Sequence, residues 1–354
     1  MRYKTCNECG VPEAIGKHYV WNSDGTITAK DDPNRRMVIF ETENLTMLFR
    51  HLEETTETPV DGIISEAKRK STLPSTREMF SDFRVKMMQV LGMHPVCRKL
   101  AEQACVLGLG GIELIKAKRL RSTEIEASRP YSLPMSLGDF AASAQVSLRG
   151  PVKTEWEAVG ERKYVYKATA SHLERAPDEK IEMPIPSRLP GDVEFKPCSA
   201  CGVPLEIARY QWDLEKGIIT DPLNAYRVAF LQAWEIENVL RELQRALGEN
   251  VIPLFVSAQR DFLMSTATKD QARMSSEGYK RLLALRGFGY LREFDQDSNK
   301  MRMRVDNPAF PSLLAGSFSA FYELITGDQG EVRWHIESEN SLVIETERTS
   351  GTII

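Results

Sequence analysis

The seven-residue string Cys6-Asn7-Glu8-Cys9-Gly10-Val11-Pro12 returns as Cys198-Ser199-Ala200-Cys201-Gly202-Val203-Pro204. This recurrence constrains the fold more than any other feature, because self-similarity over a long period means one unit used twice. The match continues in order. Trp21 answers Trp212, Gly25-Thr26-Ile27-Thr28 answers Gly217-Ile218-Ile219-Thr220, and Asp32-Pro33 answers Asp221-Pro222. Ala67-Lys68-Arg69 aligns with Ala258-Gln259-Arg260, and Gly108-Leu109-Gly110 with Gly287-Phe288-Gly289. Pro130, Gly138, Gly150 and Trp156 fall opposite Pro308, Gly316, Gly327 and Trp334. The sequence therefore predicts a tandem duplication, with copies over 1–182 and 183–354 forming an intramolecular pseudo-dimer. A proline- and charge-rich linker is expected from Ala176 to Asp192.

Each copy reads as α+β. A Cys-x-x-Cys-Gly turn leads into two short strands about Gly25 or Gly217, and then a helix over Asn44–Glu53 or Glu235–Leu247. The second of these carries Ile236, Val239, Leu240, Leu243 and Leu247 at helical spacing. Asn44 and Asn238 are weighed as helix caps. Further helices are expected over Phe80–Leu91 and Arg98–Leu107. The last third of each copy reads as a strand (Arg121–Glu126, Met301–Val305), a small-residue helix (Leu137–Ala144, Leu314–Phe321) and a closing strand pair.

Cys-x-x-Cys followed by glycine is the shape of a zinc knuckle, two thiolates on a tight turn. One knuckle offers two ligands and a structural zinc takes four, so Cys6, Cys9, Cys198 and Cys201 are expected to share one Zn2+. Two separate sites, an iron–sulfur cluster and a redox dithiol are the alternatives. His18 is a spare ligand candidate, and Cys97 and Cys105 read as buried small hydrophobes. The pairing of four of six cysteines, in a chain with no signal-like N-terminus, points to a reducing, cytoplasmic setting.

With 46 basic and 50 acidic residues the formal charge is −4, which disfavours a nucleic-acid binder. No run of eighteen apolar residues predicts a transmembrane helix. No Gly-x-Ser-x-Gly, P-loop or His-Glu-x-x-His occurs, and no acid, base or nucleophile is duplicated, so catalysis is not the leading expectation. Arg36/Arg227 and Arg69/Arg260 recur as structural ion pairs or anion-binding groups. The recurring tryptophans read as core.

The distal stretch Val305-Asp306-Asn307-Pro308-Ala309-Phe310, with Gly316–Gly327 and Glu331–Ile336 after it, resembles the 4-vinyl-reductase-like small-molecule-binding domain family. Copy one is similar from Glu124 to Lys167. The resemblance implies an α/β fold and a bacterial protein that binds an apolar, aromatic or hydrocarbon ligand as a sensor or accessory factor. The family's distal cysteines are missing here, so no distal metal site carries over. A pocket is expected between distal helix and sheet near Phe140, Phe318, Phe321 and Tyr322, with Arg69 and Arg260 as polar contacts. The alternatives are a metal- or cofactor-dependent enzyme of aromatic, tetrapyrrole or hydrocarbon metabolism and an assembly factor that binds a partner protein. A homo-oligomer is compatible with all three.

Overall fold

The computed structural model describes residues 3–80, 94–171, 187–297, 299–338 and 340–348. The helix expected over Phe80–Leu91 falls outside these residues except for Phe80, and so does most of the expected linker and its boundary at 182.

The chain is mixed α+β with several sheets. In chain order the first part runs α1 (Glu13–His18), β1 (Tyr19–Trp21), β2 (Ile27–Ala29), β3 (Arg36–Glu41), α2 (Thr42–Thr56), α3 (Asp61–Met79) and α4 (His94–Val106). It continues with β4 (Gly111–Lys118), β5 (Ser122–Ser128), α5 (Leu133–Leu148), β6 (Val152–Gly160) and β7 (Lys163–Ala170). The second part runs β8 (Gln211–Asp213), β9 (Ile218–Thr220), β10 (Arg227–Gln232), α6 (Ala233–Leu247) and α7 (Val251–Thr266), then the short α8 (Lys269–Ala272) and α9 (Ser276–Arg286). It ends with β11 (Tyr290–Gln296), β12 (Lys300–Asp306), α10 (Pro311–Thr326), β13 (Gly330–Ser338) and β14 (Ser341–Arg348).

One six-stranded antiparallel sheet, in the order β1-β2-β3-β10-β9-β8, takes three strands from each part. Its middle is the β3–β10 pair, where Ile39 lies opposite Phe230. Both strands read as near-continuous apolar runs (Met37-Val38-Ile39-Phe40 and Val228-Ala229-Phe230-Leu231) because both faces are covered. Alternate side chains feed two different cores. Val38, Phe40, Ala229 and Leu231 join the helices α2, α3, α6 and α7, while Met37, Ile39, Val228 and Phe230 join Val11, Ile15, Val203 and Ile207, which follow the two cysteine turns.

The other two sheets have the same internal order, β4-β5-β7-β6 and β11-β12-β14-β13. Their inner strands alternate as a half-buried strand should. Met301, Met303 and Val305 point in while Arg302 and Arg304 stay partly exposed, and Thr123, Ile125 and Ala127 point in on β5. A small-residue helix lies on each sheet. Gly138 of α5 sits against α3, where an added Cβ would meet the Ser65 carbonyl oxygen at 2.5 Å and Lys68 Cβ at 2.8 Å. Gly316 of α10 faces the Val256 carbonyl and Gln259 Cβ of α7 in the same way. These glycines serve close helix packing.

The turn before each distal sheet is gripped by the opposite part of the chain. Gly25 packs on Gly289 and Gly217 on Gly110. Arg36 donates to the carbonyls of Gly287 (2.7 Å) and Asn307 (2.7 Å), and Arg227 to those of Gly108 (2.9 Å) and Pro130 (3.4 Å). Among described residues these two arginines clamp backbone carbonyls, so the ion-pair expectation is corrected for Arg36 and Arg227, whereas Arg69 and Arg260 pair with Glu66 and Glu323. Burial pulls both guanidinium groups down to about 10. Two further expectations are also corrected. Asn44 and Asn238 lie inside α2 and α6, where the Asn44 amide donates to Gln259 and the Asn238 amide to the Ala67 carbonyl and Ser71 hydroxyl. Trp156 is exposed, edge-on to Tyr164.

Candidate metal centre and ligand cavity

The two Cys-x-x-Cys turns have one backbone design. Cys6 N–H donates to the Val11 carbonyl and Gly10 N–H to the Cys6 carbonyl (2.8 and 2.9 Å). Cys198 N–H donates to Val203 and Gly202 N–H to Cys198 (both 2.8 Å). Gly10 and Gly202 both adopt φ +76°, the left-handed region that glycine enters without a Cβ clash. The turns face each other, with Cys6 Sγ 3.7 Å from Cys198 Sγ and Cys9 Sγ 3.5 Å from Cys201 Sγ. All four sulfurs lie within 4.8 Å of one another. Sulfurs held about 2.3 Å from one tetrahedral ion are about 3.8 Å apart, so this set fits a single metal.

The thiols are unequal. Backbone N–H groups of Cys9 and Glu8 directed at its sulfur draw Cys6 down to about 7. Burial pushes Cys9 up to about 12 and also raises Cys201. Glu8 reaches across to Cys198 Sγ (3.6 Å) and Ser199, tying the two turns together. His18 is not in the sulfur cluster. It lines the cavity described next.

A cavity of about 580 Å³ lies between α3, α5, the first distal sheet and the start of α6. Its apolar wall includes Phe140, Tyr166, Ile125, Leu100 and Leu109. Its polar end is a cluster from three helices. Lys68 Nζ donates to Asp139 Oδ1 (2.7 Å), Glu235 Oε2 (2.6 Å) and Thr72 Oγ1 (3.0 Å). Thr72 donates to Asp139 Oδ1 (2.8 Å) and Tyr131 to Asp139 Oδ2 (2.8 Å). Burial works against the Lys68 ammonium, but Asp139 and Glu235 outweigh it and raise its pKa. Burial also raises Glu235, against the pull of Lys68, and holds Tyr131 well above its usual range.

The matching region of the second part holds a smaller cavity of about 160 Å³, lined by Phe318 and Phe321. Its lining includes Arg286, bound to Glu41 and Asp221, and at the place aligned with Lys68 a neutral network. Asn44 donates to Gln259 (2.9 Å) and Gln259 to Ser317 (3.1 Å). Lys68 is aligned with Gln259, and Asp139 and Ser317 each follow the packing glycine, Gly138 or Gly316.

Of the residues expected to line a pocket, Phe140 borders the larger cavity, and Phe318 and Phe321 the smaller. Tyr322 borders neither; it is buried with its hydroxyl donating to the Asn299 carbonyl (3.0 Å). Arg69 and Arg260 also lie outside both linings. Arg69 binds Glu66 and Gln145, and Arg260 binds Glu323 and Asp261. Their recurrence reflects helix-to-helix bracing. Sequence reasoning missed Lys68, Thr72, Asp139 and Glu235. The available signal was a difference between aligned positions, charge in one and a neutral amide or hydroxyl in the other. Among described residues, no helix is long and apolar enough to cross a membrane. No protein-family model matches this sequence, and no curated protein matches it.

Proposed function

We propose that this chain is a duplicated, zinc-containing binding protein for an apolar small molecule, acting as a sensor or accessory factor and not as a catalyst. The observation that carries the reading is the 580 Å³ cavity, apolar over most of its wall with one convergent polar cluster, the usual make-up of a small-molecule site. Four-sulfur coordination leaves no open position on the metal, which favours a structural zinc over a catalytic one. Such an ion would clasp the two knuckles and fix how the halves 1–182 and 183–354 meet. The duplication is supported by the equal order of the distal sheets, by the facing of Cys6 on Cys198 and Cys9 on Cys201, and by the reciprocal Arg36 and Arg227 clamps. The strand, strand, helix, hairpin order of each distal module is compatible with a 4-vinyl-reductase-like domain.

Calorimetric titration with 2-(2-naphthyl)ethanol tests this reading. One molecule should bind per chain, and Ser143→Phe, which fills the larger cavity, should abolish binding. Two sites per chain, or binding unchanged in Ser143→Phe, would overturn it.

A further inference from the structure

We propose that the ligand of the larger cavity carries a hydrogen-bond-donating cation, a primary or secondary ammonium, received by Glu235 and Asp139. The inference rests on the reading of that cavity as a small-molecule site and adds the chemistry of the ligand's head.

Lys68 has three N–H donors, and all three are spent, on Asp139 Oδ1, Glu235 Oε2 and Thr72 Oγ1. Thr72 has one proton. It lies 2.8 Å from Asp139 Oδ1 but 3.3 Å from Glu235 Oε1, so the shorter contact takes it. Tyr131 gives its proton to Asp139 Oδ2. Glu235 Oε1 is therefore left without a proton from any of its described neighbours, on a side chain only 7% exposed that lines the cavity. Asp139 Oδ2 keeps one lone pair open, on the most accessible carboxylate of the cluster. Leaving a buried carboxylate oxygen unpaired is costly, and a ligand that expels cavity water must supply the missing donors.

The charge balance has the same sign. Among the described residues the cavity is bordered by Lys68 and Arg35 against Asp31, Glu78, Asp139 and Glu235, two cations facing four carboxylates. Arg35 is already bound to Asp31. A ligand carboxylate would meet this excess with no free donor from Lys68, whereas an ammonium neutralises part of it. In the smaller cavity the place of the Lys68 cluster is taken by the neutral Asn44–Gln259–Ser317 network, and the two carboxylates in its lining, Glu41 and Asp221, are both bound to Arg286.

The test uses the intact, metal-loaded protein and three probes on one ring system: 2-(2-naphthyl)ethylamine, 2-(2-naphthyl)ethanol and 3-(2-naphthyl)propionate. The amine should bind at least about tenfold tighter than the alcohol, with the carboxylate weakest, since hydrogen bonds to charged groups are worth that much. Glu235→Gln keeps the shape and should cut the amine's advantage over the alcohol to under about threefold. Alcohol binding as tightly as amine, or the carboxylate binding best, overturns the proposal and leaves the cavity reading intact. Failure of all three probes to bind overturns both. The ranking on the unmodified protein stands whether or not the variant folds.

Discussion

Removing the Lys68 ammonium is the perturbation whose consequences the structure fixes most closely. Its side chain is 4% exposed and holds together carboxylates that are 28% and 7% exposed. Lys68→Met keeps the stem and deletes the charge, so Glu235 and Asp139 face each other without a counter-ion. Breaking a buried pair from one side costs about 3–5 kcal/mol, because the remaining charge stays desolvated. The second part of the chain already shows a neutral solution for the same place. Lys68→Gln, Asp139→Ser and Glu235→Asn together rebuild the Asn44–Gln259–Ser317 network, with no charge left to desolvate. The triple variant should therefore lose at least about 2 kcal/mol less than Lys68→Met alone, a strong non-additivity expected of residues in one network. Urea unfolding monitored by circular dichroism measures both. The pH dependence carries a sign as well. Burial already raises Glu235 in the folded state, and loss of Lys68 raises it further. A group with a raised folded pKa adds stability below its unfolded value and loses it as pH climbs through the folded one. The deficit of Lys68→Met should accordingly narrow on acidification from pH 8 to pH 5. A triple variant as damaged as the single one, or a deficit that grows on acidification, would refute the argument.

Cys198→Ser, and separately chelation of the intact protein, should each lower the unfolding free energy by about 3 kcal/mol or more, because a structural metal adds its binding energy to the fold; adding Cys6→Ser to Cys198→Ser should change little more, as denaturant titration would show. Gly138→Ala should destabilise by about 1–3 kcal/mol through its approach to the Ser65 carbonyl, while Gly62→Ala, with open space around it in α3, should be neutral or stabilising by up to about 1 kcal/mol in the same assay. Arg36→Met should free the turn at Gly287 and Asn307, seen as faster amide hydrogen exchange at Gly289, with no matching change at Gly110.

What the sequence disclosed follows from what repetition preserves. Apolar periodicity located α6 and the inner distal strands, and the doubled cysteine turns located the sulfur cluster, because local spacing alone decides both. The helices α3 and α7 were not read. Each carries charged or polar residues on the side that is buried, Lys68 and Arg69 in one and Gln259 in the other, so their amphipathic signal is weak. The polar end of the cavity stayed hidden for a related reason. Lys68, Asp139 and Glu235 are scattered along the chain and meet only when α3, α5 and α6 pack. Attention to matched residues also favours what both parts share, such as Arg69 and Arg260, which turn out to brace helices. The side chains that set the two cavities apart are those that differ.

X-ray absorption at the metal edge of the protein, together with metal counting per chain, tests the central claim that both knuckles hold one ion. The account predicts one zinc per chain with four sulfur neighbours at about 2.3 Å and no nitrogen or oxygen in the coordination sphere. Two metals per chain, or a sphere mixing sulfur with nitrogen or oxygen, would contradict it.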